Sequence, residues 1–392
     1  MADRICIVRQ RDYYELALRR EAEALHEAGY EVDVVCLRDV GRPAVEVDNG
    51  VTLYRLPLRR RRGGPLSYLV DYFSFFVAAT ITVARLHLRH RYRAVQGNTM
   101  PDIIVFTALV PRLLGAKVVA FMKEPTPELG ETKYGSARVG RFLRLVEQAA
   151  LRFADLAYTV TEDLKEAYVS RGARADKIRV VLNGPDERHL LRYRTDAAPD
   201  PEFFTAICHG LVDERYGHDT MVRAVAIARK KIPGLRLRIT GSGDYVPELE
   251  SLIREGGLQD CIEYLGWLDM PGLVDQLCRA DVGIVAQKSS PYSNLVHTNK
   301  MFEYMLLGTP IIASRLRSTA RYFGEETVQY FEPGSPESLA DALVALYEDP
   351  DRRRSMVAAA TEQYRTHSWT VQKEIYLAGY AELLGHGTAA AR

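Results

Sequence analysis

The sequence predicts an α/β protein of two doubly wound halves, residues 1–185 and 186–369, with a closing helix over 370–392 that completes the first half. Three observations carry this. Short aliphatic runs alternate with segments of helical periodicity from the first residues onward. Near the middle, Asn183-Gly184-Pro185-Asp186 and the polar, proline-bearing stretch Asp196 to Pro201 interrupt the alternation as a linker would. At 392 residues the chain is also too long for one ordinary core.

Arg4 to Val8 reads as a short buried strand and Tyr14 to Ala28 as an amphipathic helix ending at Gly29. Strands follow at Glu31–Leu37 and Val51–Leu56, then a helix over Ser67–Arg89 and a strand at Ala94-Val95-Gln96. Ala116–Phe121 is aliphatic, Val139–Phe153 helical, and Leu156–Thr161 and Ile178–Leu182 close the half as strands. The second half repeats the pattern. Strands are expected at Phe204–His209, Arg236–Thr240, Ile262–Leu265, Val282–Ala286, Pro310–Ala313 and Val328–Phe331. Helices are expected at His218–Lys231, Tyr245–Glu255, Pro271–Cys278, around Lys300, at Ser335–Tyr347, and from His367 to Leu384. Such β-α-β repetition implies parallel sheets with ligands at the carboxyl ends of the strands.

Composition narrows the function. Hydrophobic content of 47% and charged content of 26% are ordinary for a globular protein, and a net charge of +1 argues against a broad nucleic-acid surface. Five scattered cysteines form no metal spacing or disulfide framework and fit a reducing cytoplasm. The nine histidines form no ligand cluster, so no structural metal is expected. No signal peptide is read at the start. The apolar stretch Ser67–Ala84 contains Asp71 and is followed by Arg85, so it suits a buried or surface-lying helix better than a spanning one. Arg59-Arg62 just before it could bring that helix to an anionic lipid surface, or be a solvated loop leading to a buried helix.

The segment His297-Thr298-Asn299-Lys300-Met301-Phe302-Glu303-Tyr304-Met305, closed by Gly308-Thr309-Pro310, carries the most chemistry. Lys300 and Glu303 stand three residues apart, on one face of a helix. The helix start offers N–H groups and the positive dipole end to an anion. Lys300 then suits a phosphate and Glu303 a pair of vicinal hydroxyls, with His297, Thr298 and Asn299 at the ligand end of the helix; the alternative is a solvated Lys–Glu pair. Upstream, His209-Gly210-Leu211-Val212-Asp213-Glu214-Arg215-Tyr216-Gly217 places a glycine after a strand and offers Arg215 as a planar fork for a diphosphate. Gly241 and Gly243 form a Gly-x-Gly turn after the next strand, which is also an ordinary strand-to-helix turn. Trp267, in Gly266-Trp267-Leu268, reads as core by residue type.

The Lys300 segment and the Gly210–Gly217 loop resemble the donor-binding motifs of family-4 retaining glycosyltransferases of the GT-B fold. The resemblance implies two Rossmann-like domains facing across a cleft and a retaining transfer from a nucleotide-diphosphate sugar to a hydroxyl of a saccharide, lipid-linked saccharide or secondary metabolite. It implies that Arg215 and Lys300 hold the diphosphate, that Glu303 holds the ribose, that Gly210, Gly241, Gly243 and Leu268 border the nucleotide, and that neither cofactor nor metal is needed. It also implies that the segment Gly266-Trp267-Leu268 meets a bound base and that the final helix crosses back to the first domain. Two departures stand out. Leu295 occupies the place of a second glutamate, leaving Asn294, Tyr292 or Ser293 as candidates to contact the sugar. Lys123 replaces a histidine in Lys123-Glu124-Pro125-Thr126-Pro127-Glu128, a loop expected to be held by its prolines. Lys123, Glu124 and Glu128, with Arg9 and Tyr13 from the first loop, are the acceptor-side candidates, against ordinary loop residues. Rival readings are a non-hydrolysing nucleotide-sugar epimerase and a silent sugar-nucleotide-binding subunit.

Overall fold

In the computed structural model, residues 2–39, 41–58, 65–134 and 136–385 are described. Arg59-Arg62, the terminal Gly-Thr-Ala-Ala-Ala-Arg and the end of the 370–392 segment lie outside them. The chain forms two compact units, one of residues 1–183 with 370–392 and one of residues 184–369.

The first unit runs β1 (Arg4–Arg9), α1 (Leu16–Glu27), β2 (Glu31–Leu37), β3 (Val45–Asp48), β4 (Val51–Leu56), α2 (Pro65–His90) and β5 (Ala94–Asn98). A 3-10 segment, Asp102–Ala108, leads to α3 (Leu109–Leu113) and β6 (Lys117–Met122). Then come α4 (Thr126–Tyr134), α5 (Ala137–Phe153), β7 (Leu156–Thr159), α6 (Glu162–Ser170) and β8 (Ile178–Val180). The sheet order is β3-β4-β2-β1-β5-β6-β7-β8, parallel except for the β3–β4 pair. Its central strands are buried on both faces, which explains their unbroken aliphatic runs.

The second unit runs α7 (Glu187–Leu191), β9 (Phe204–Leu211), α8 (His218–Ala228), β10 (Leu235–Ser242), α9 (Val246–Glu255), β11 (Ile262–Gly266), α10 (Met270–Cys278) and β12 (Val282–Val285). It continues with α11 (Lys300–Leu307), β13 (Ile311–Ser314), α12 (Arg317–Tyr322), β14 (Val328–Phe331), α13 (Pro336–Glu348) and α14 (Pro350–His367). Its all-parallel sheet has the order β11-β10-β9-β12-β13-β14. The order reverses between β9 and β12, so the loops after these two strands flank the position where such sheets bind ligands. The final helix, α15 (Trp369–Leu384), belongs to the first unit from Thr370 onward: Tyr376 and Tyr380 each donate to Gln96 Oε1 in β5, at 2.9 and 2.6 Å.

Three expectations need correction. Thr161 does not extend β7; it caps α6, its hydroxyl accepting from the Leu164 N–H at 3.1 Å. The 123–128 stretch is not a proline-stiffened loop, because Thr126 opens α4 and Pro127 sits in its first turn, where proline's missing N–H is harmless. His367 does not begin the last helix but ends α14, a helix rich in arginine and other polar residues whose weak apolar periodicity hides it. Trp369, at the start of α15, is buried as expected.

Candidate functional site

At the carboxyl end of β9 the chain turns through Gly210, at φ 100°, and a 3-10 turn, Glu214–Tyr216, before Gly217 starts α8 in the left-handed region. A side chain at Gly217 would stand 2.0 Å from the Ala286 carbonyl, so only glycine lets this loop lie against the end of β12. The loop after β12 leads to α11, and its first residue, Lys300, points back at Gly210: a Cβ built there would lie 3.2 Å from the Lys300 Cε.

Lys300 is 6% exposed, and among the described residues no carboxylate stands within ion-pair distance of its ammonium. Its Nζ instead rests 4.1 Å over the Tyr216 ring. Arg215 stacks near the same ring, 5.2 Å from its centroid, and 5.0 Å from that of Tyr292, while meeting Asp213 at 3.5 Å. Two cations thus share one tyrosine at the sheet's reversal point. The start of α11 carries no side-chain cap, so its dipole adds to the same positive field. That field reaches His218, whose imidazole is pulled down to about 4 by burial and by the charge of Lys300.

Glu303, one turn along α11, accepts a 2.5 Å hydrogen bond from His209 Nε2. Because a carboxylate only accepts, the facing ring nitrogen carries the proton. His209 Nδ1 meets the Tyr304 hydroxyl at 3.1 Å, which also reaches the Ile207 carbonyl. Burial opposes ionisation of Glu303, but the His209 bond and the charges of His209 and Lys300 outweigh it, so its carboxyl lies below the usual range. Among the described residues Glu303 Oε1 has no hydrogen-bond partner, which leaves it available to a hydroxyl.

The remaining donor-side candidates divide. A Cβ at Gly241 would lie 1.7 Å from the Gly210 carbonyl and one at Gly243 1.9 Å from that of Val212, so both glycines let β9 and β10 approach. Thr298 and Asn299 form the half-buried start of α11, whose first N–H groups bond to their carbonyls. His297 is buried within 5.5 Å of Phe302, Tyr322 and Phe323, and burial holds its imidazole down at about 3. Asn294 spends both ends of its amide within the unit, donating to Ser289 and Ser290 in its own loop and accepting from the Arg317 N–H at the start of α12. Leu268 is half-buried, and Trp267 is not core at all: it is 72% exposed after the edge strand β11.

The acceptor-side candidates lie in the first unit, where β1, β5 and β6 end side by side. There each cation already has a carboxylate. Lys123 Nζ sits 2.5 Å from Glu21 Oε1, and Glu21 Oε2 accepts from Gln96 and Asn98. Burial pulls Lys123 down to about 8 despite that partner. Arg9 meets Glu15 at 2.6 Å and donates to the Thr99 carbonyl. Tyr13 is fully buried, and burial raises its hydroxyl pKa. Glu124 is half-buried before α4, and Glu128 is buried against Arg171, which also holds Glu147 at 2.9 Å.

Sequence reasoning passed over His209 and Tyr216. His209 had a signal, since a polar residue ends the otherwise aliphatic run Ala206-Ile207-Cys208. Tyr216 had none beyond lying between Arg215 and Gly217.

Comparison with known proteins places the chain in a family. Residues 14–184 match the glycosyl transferase 4-like domain and residues 204–349 the glycosyl transferases group 1 domain. A D-inositol 3-phosphate glycosyltransferase of Pseudarthrobacter chlorophenolicus is 25% identical over 380 residues, covering 93% of this chain and 88% of its own. A phosphatidyl-myo-inositol mannosyltransferase of Mycobacterium leprae is 31% identical over 169 residues, 43% of each chain. Among solved structures, a sucrose-phosphate synthase from Thermosynechococcus elongatus superposes with a TM-score of 0.78 at 21% identity, covering 98% of this chain and 100% of that one. With two parallel-sheet α/β units and both matched domains, the chain is a glycosyltransferase of the group 1 type, built on the GT-B fold.

Proposed function

We propose that the protein moves a sugar from a nucleotide-diphosphate donor to a hydroxyl acceptor with retention of anomeric configuration. The observation that carries this reading is Lys300, a buried ammonium with no carboxylate partner among the described residues beside an uncapped helix start. Burying an unneutralised charge is unfavourable, and the state that relieves it is one with an anion bound. Arg215 and Lys300 would stabilise the departing diphosphate, and Glu303, aligned by His209, would accept from vicinal hydroxyls of the ribose. The sugar C1–O bond to phosphate breaks and the acceptor oxygen bonds C1 from the same face. The acceptor's proton passes to the leaving phosphate oxygen, so no protein nucleophile and no metal is assigned.

The names of the relatives favour an inositol-type polyol phosphate or its lipid ester among the acceptors. Five free cysteines support a cytoplasmic location.

A panel of UDP-, GDP-, dTDP- and ADP-sugars, first by thermal shift and then by turnover with a polyol acceptor, tests the reading. One donor should raise the melting temperature and give a product whose anomeric configuration by NMR matches the donor. An inverted product, or epimerised donor formed without acceptor, would overturn it.

A further inference from the structure

We propose that the helical layer formed by α2, α3 and α5 is a docking face for an anionic lipid bilayer. The large exposed hydrophobic side chains of the chain concentrate there. On α2, Leu69, Phe73, Val77 and Ile81 recur every four residues as one exposed stripe, with Phe73 65% exposed. Leu113 and Leu114 at the end of α3 are 77% and 57% exposed, and Phe142 and Leu145 on α5 are 65% and 71% exposed. These elements adjoin, because α2 and α5 both pack on the 3-10 segment Asp102–Ala108 that runs into α3.

The opposite side of α2 explains why the helix lies flat rather than crosses. Phe75, Ala79 and Val83, offset by two residues from the stripe, are fully buried. Among the described residues α2 is the one helix long and apolar enough to span a membrane, yet only 17% of its apolar window is buried. A helix held on one side and apolar on the other is the interfacial type.

Charge selects the occupant. α2 carries Arg85 and Arg89, α3 carries Arg112, and α5 carries Arg138, Arg141, Arg144 and Arg152. The acids of these helices are Asp71 and Glu147, and Glu147 is buried against Arg171. From neighbouring elements Asp155 meets Arg112 at 3.2 Å and Glu131 meets Arg144 at 2.9 Å, so the cations without an ion pair among the described residues are Arg85, Arg89, Arg138, Arg141 and Arg152. A face both apolar and cationic matches an anionic bilayer surface, where each nearby arginine adds attraction. A second copy of the chain would set arginines against arginines.

The inference deepens the proposed reaction by naming the surface on which its acceptor would lie, and the two fail separately because vesicle binding needs no donor. The full chain is sedimented with vesicles of phosphatidylcholine alone and of phosphatidylcholine with phosphatidylglycerol. The protein should pellet with the anionic vesicles and stay largely in solution with the neutral ones. Arg138→Gln with Arg141→Gln should weaken partitioning about 30-fold, from about 1 kcal/mol per cation near the surface. Phe73→Ser with Phe142→Ser should abolish it, with thermal melting and nucleotide binding unchanged, since these side chains are exposed and lie outside the donor-binding unit. Wild type remaining in the supernatant, variants pelleting like wild type, or a wild-type dimer that Phe142→Ser converts to monomer would each overturn the proposal.

Discussion

Replacing Lys300 with methionine should make the ligand-free protein more stable and the nucleotide-bound protein weaker, two effects of opposite sign. Methionine keeps the length and most of the volume of the stem that runs past Gly210, so packing changes little. What is lost in the free protein is the contact of the ammonium with the Tyr216 ring, worth about 1 kcal/mol. What is gained is relief from burying a cation with no carboxylate at ion-pair distance among the described residues, an effect of about 2–3 kcal/mol. The net gain, about 1–2 kcal/mol, should raise the melting temperature by about 2–4 °C per kcal/mol for a unit of this size. In the complex a charge-assisted bond to phosphate disappears, worth about 1.5–3 kcal/mol, so the nucleotide dissociation constant should rise about 10- to 150-fold. Calorimetry of thermal unfolding with and without the preferred nucleoside diphosphate, with isothermal titration, reads both. A variant that melts several degrees lower without ligand and keeps wild-type affinity would refute the reasoning and return Lys300 to an ordinary packing role.

Other perturbations test the neighbouring parts. Gly210→Ala puts a Cβ 3.2 Å from Lys300 at a backbone position of φ 100°, so it should cost about 1–3 kcal/mol of stability and weaken nucleotide binding, read in the same melts and titrations. Glu303→Gln keeps the shape but loses the charged acceptor, so kcat/KM should fall about 10- to 150-fold in turnover assays. The lowered carboxyl of Glu303 contributes stability above its unfolded pKa that is lost as pH falls through its native one; Glu303→Gln should flatten that acid limb in melts between pH 3 and 5, a window set by an unfolded pKa of about 4.3. Asp102 behaves oppositely. Burial, and then the charge of Glu147, raises it to about 8, so its contribution is full below its unfolded pKa of about 4 and is lost as pH rises toward 8. Asp102→Asn should melt higher than wild type at alkaline pH, with the difference vanishing in acid.

Most of the fold was legible because parallel strands buried on both faces announce themselves as aliphatic runs, as in Ile5-Cys6-Ile7-Val8 or Ile311-Ile312-Ala313. What escaped lacks that signal. β3 is an exposed antiparallel edge, α14 is largely solvated, and α4 starts at a proline-bearing segment that reads as a loop. In the second unit, the spacing of Lys300 and Glu303 and the glycine of the β9 loop pointed to a place that the topology puts at the sheet reversal. Sequence could not tell a cation that has a partner from one that lacks it. Lys123 and Arg9 look as available as Lys300 until the fold brings Glu21 and Glu15, from a distant or neighbouring turn, onto them. His209 was missed for the same reason, since its role depends on Glu303, 94 residues away along the chain.

The most direct measurement is a crystal structure of the protein with its preferred nucleoside diphosphate. A phosphate oxygen should lie about 2.7–2.9 Å from Lys300 Nζ, with the Arg215 guanidinium turned onto the same diphosphate and the ribose hydroxyls on Glu303. A nucleotide bound elsewhere, with Lys300 still facing only Tyr216, would contradict the account.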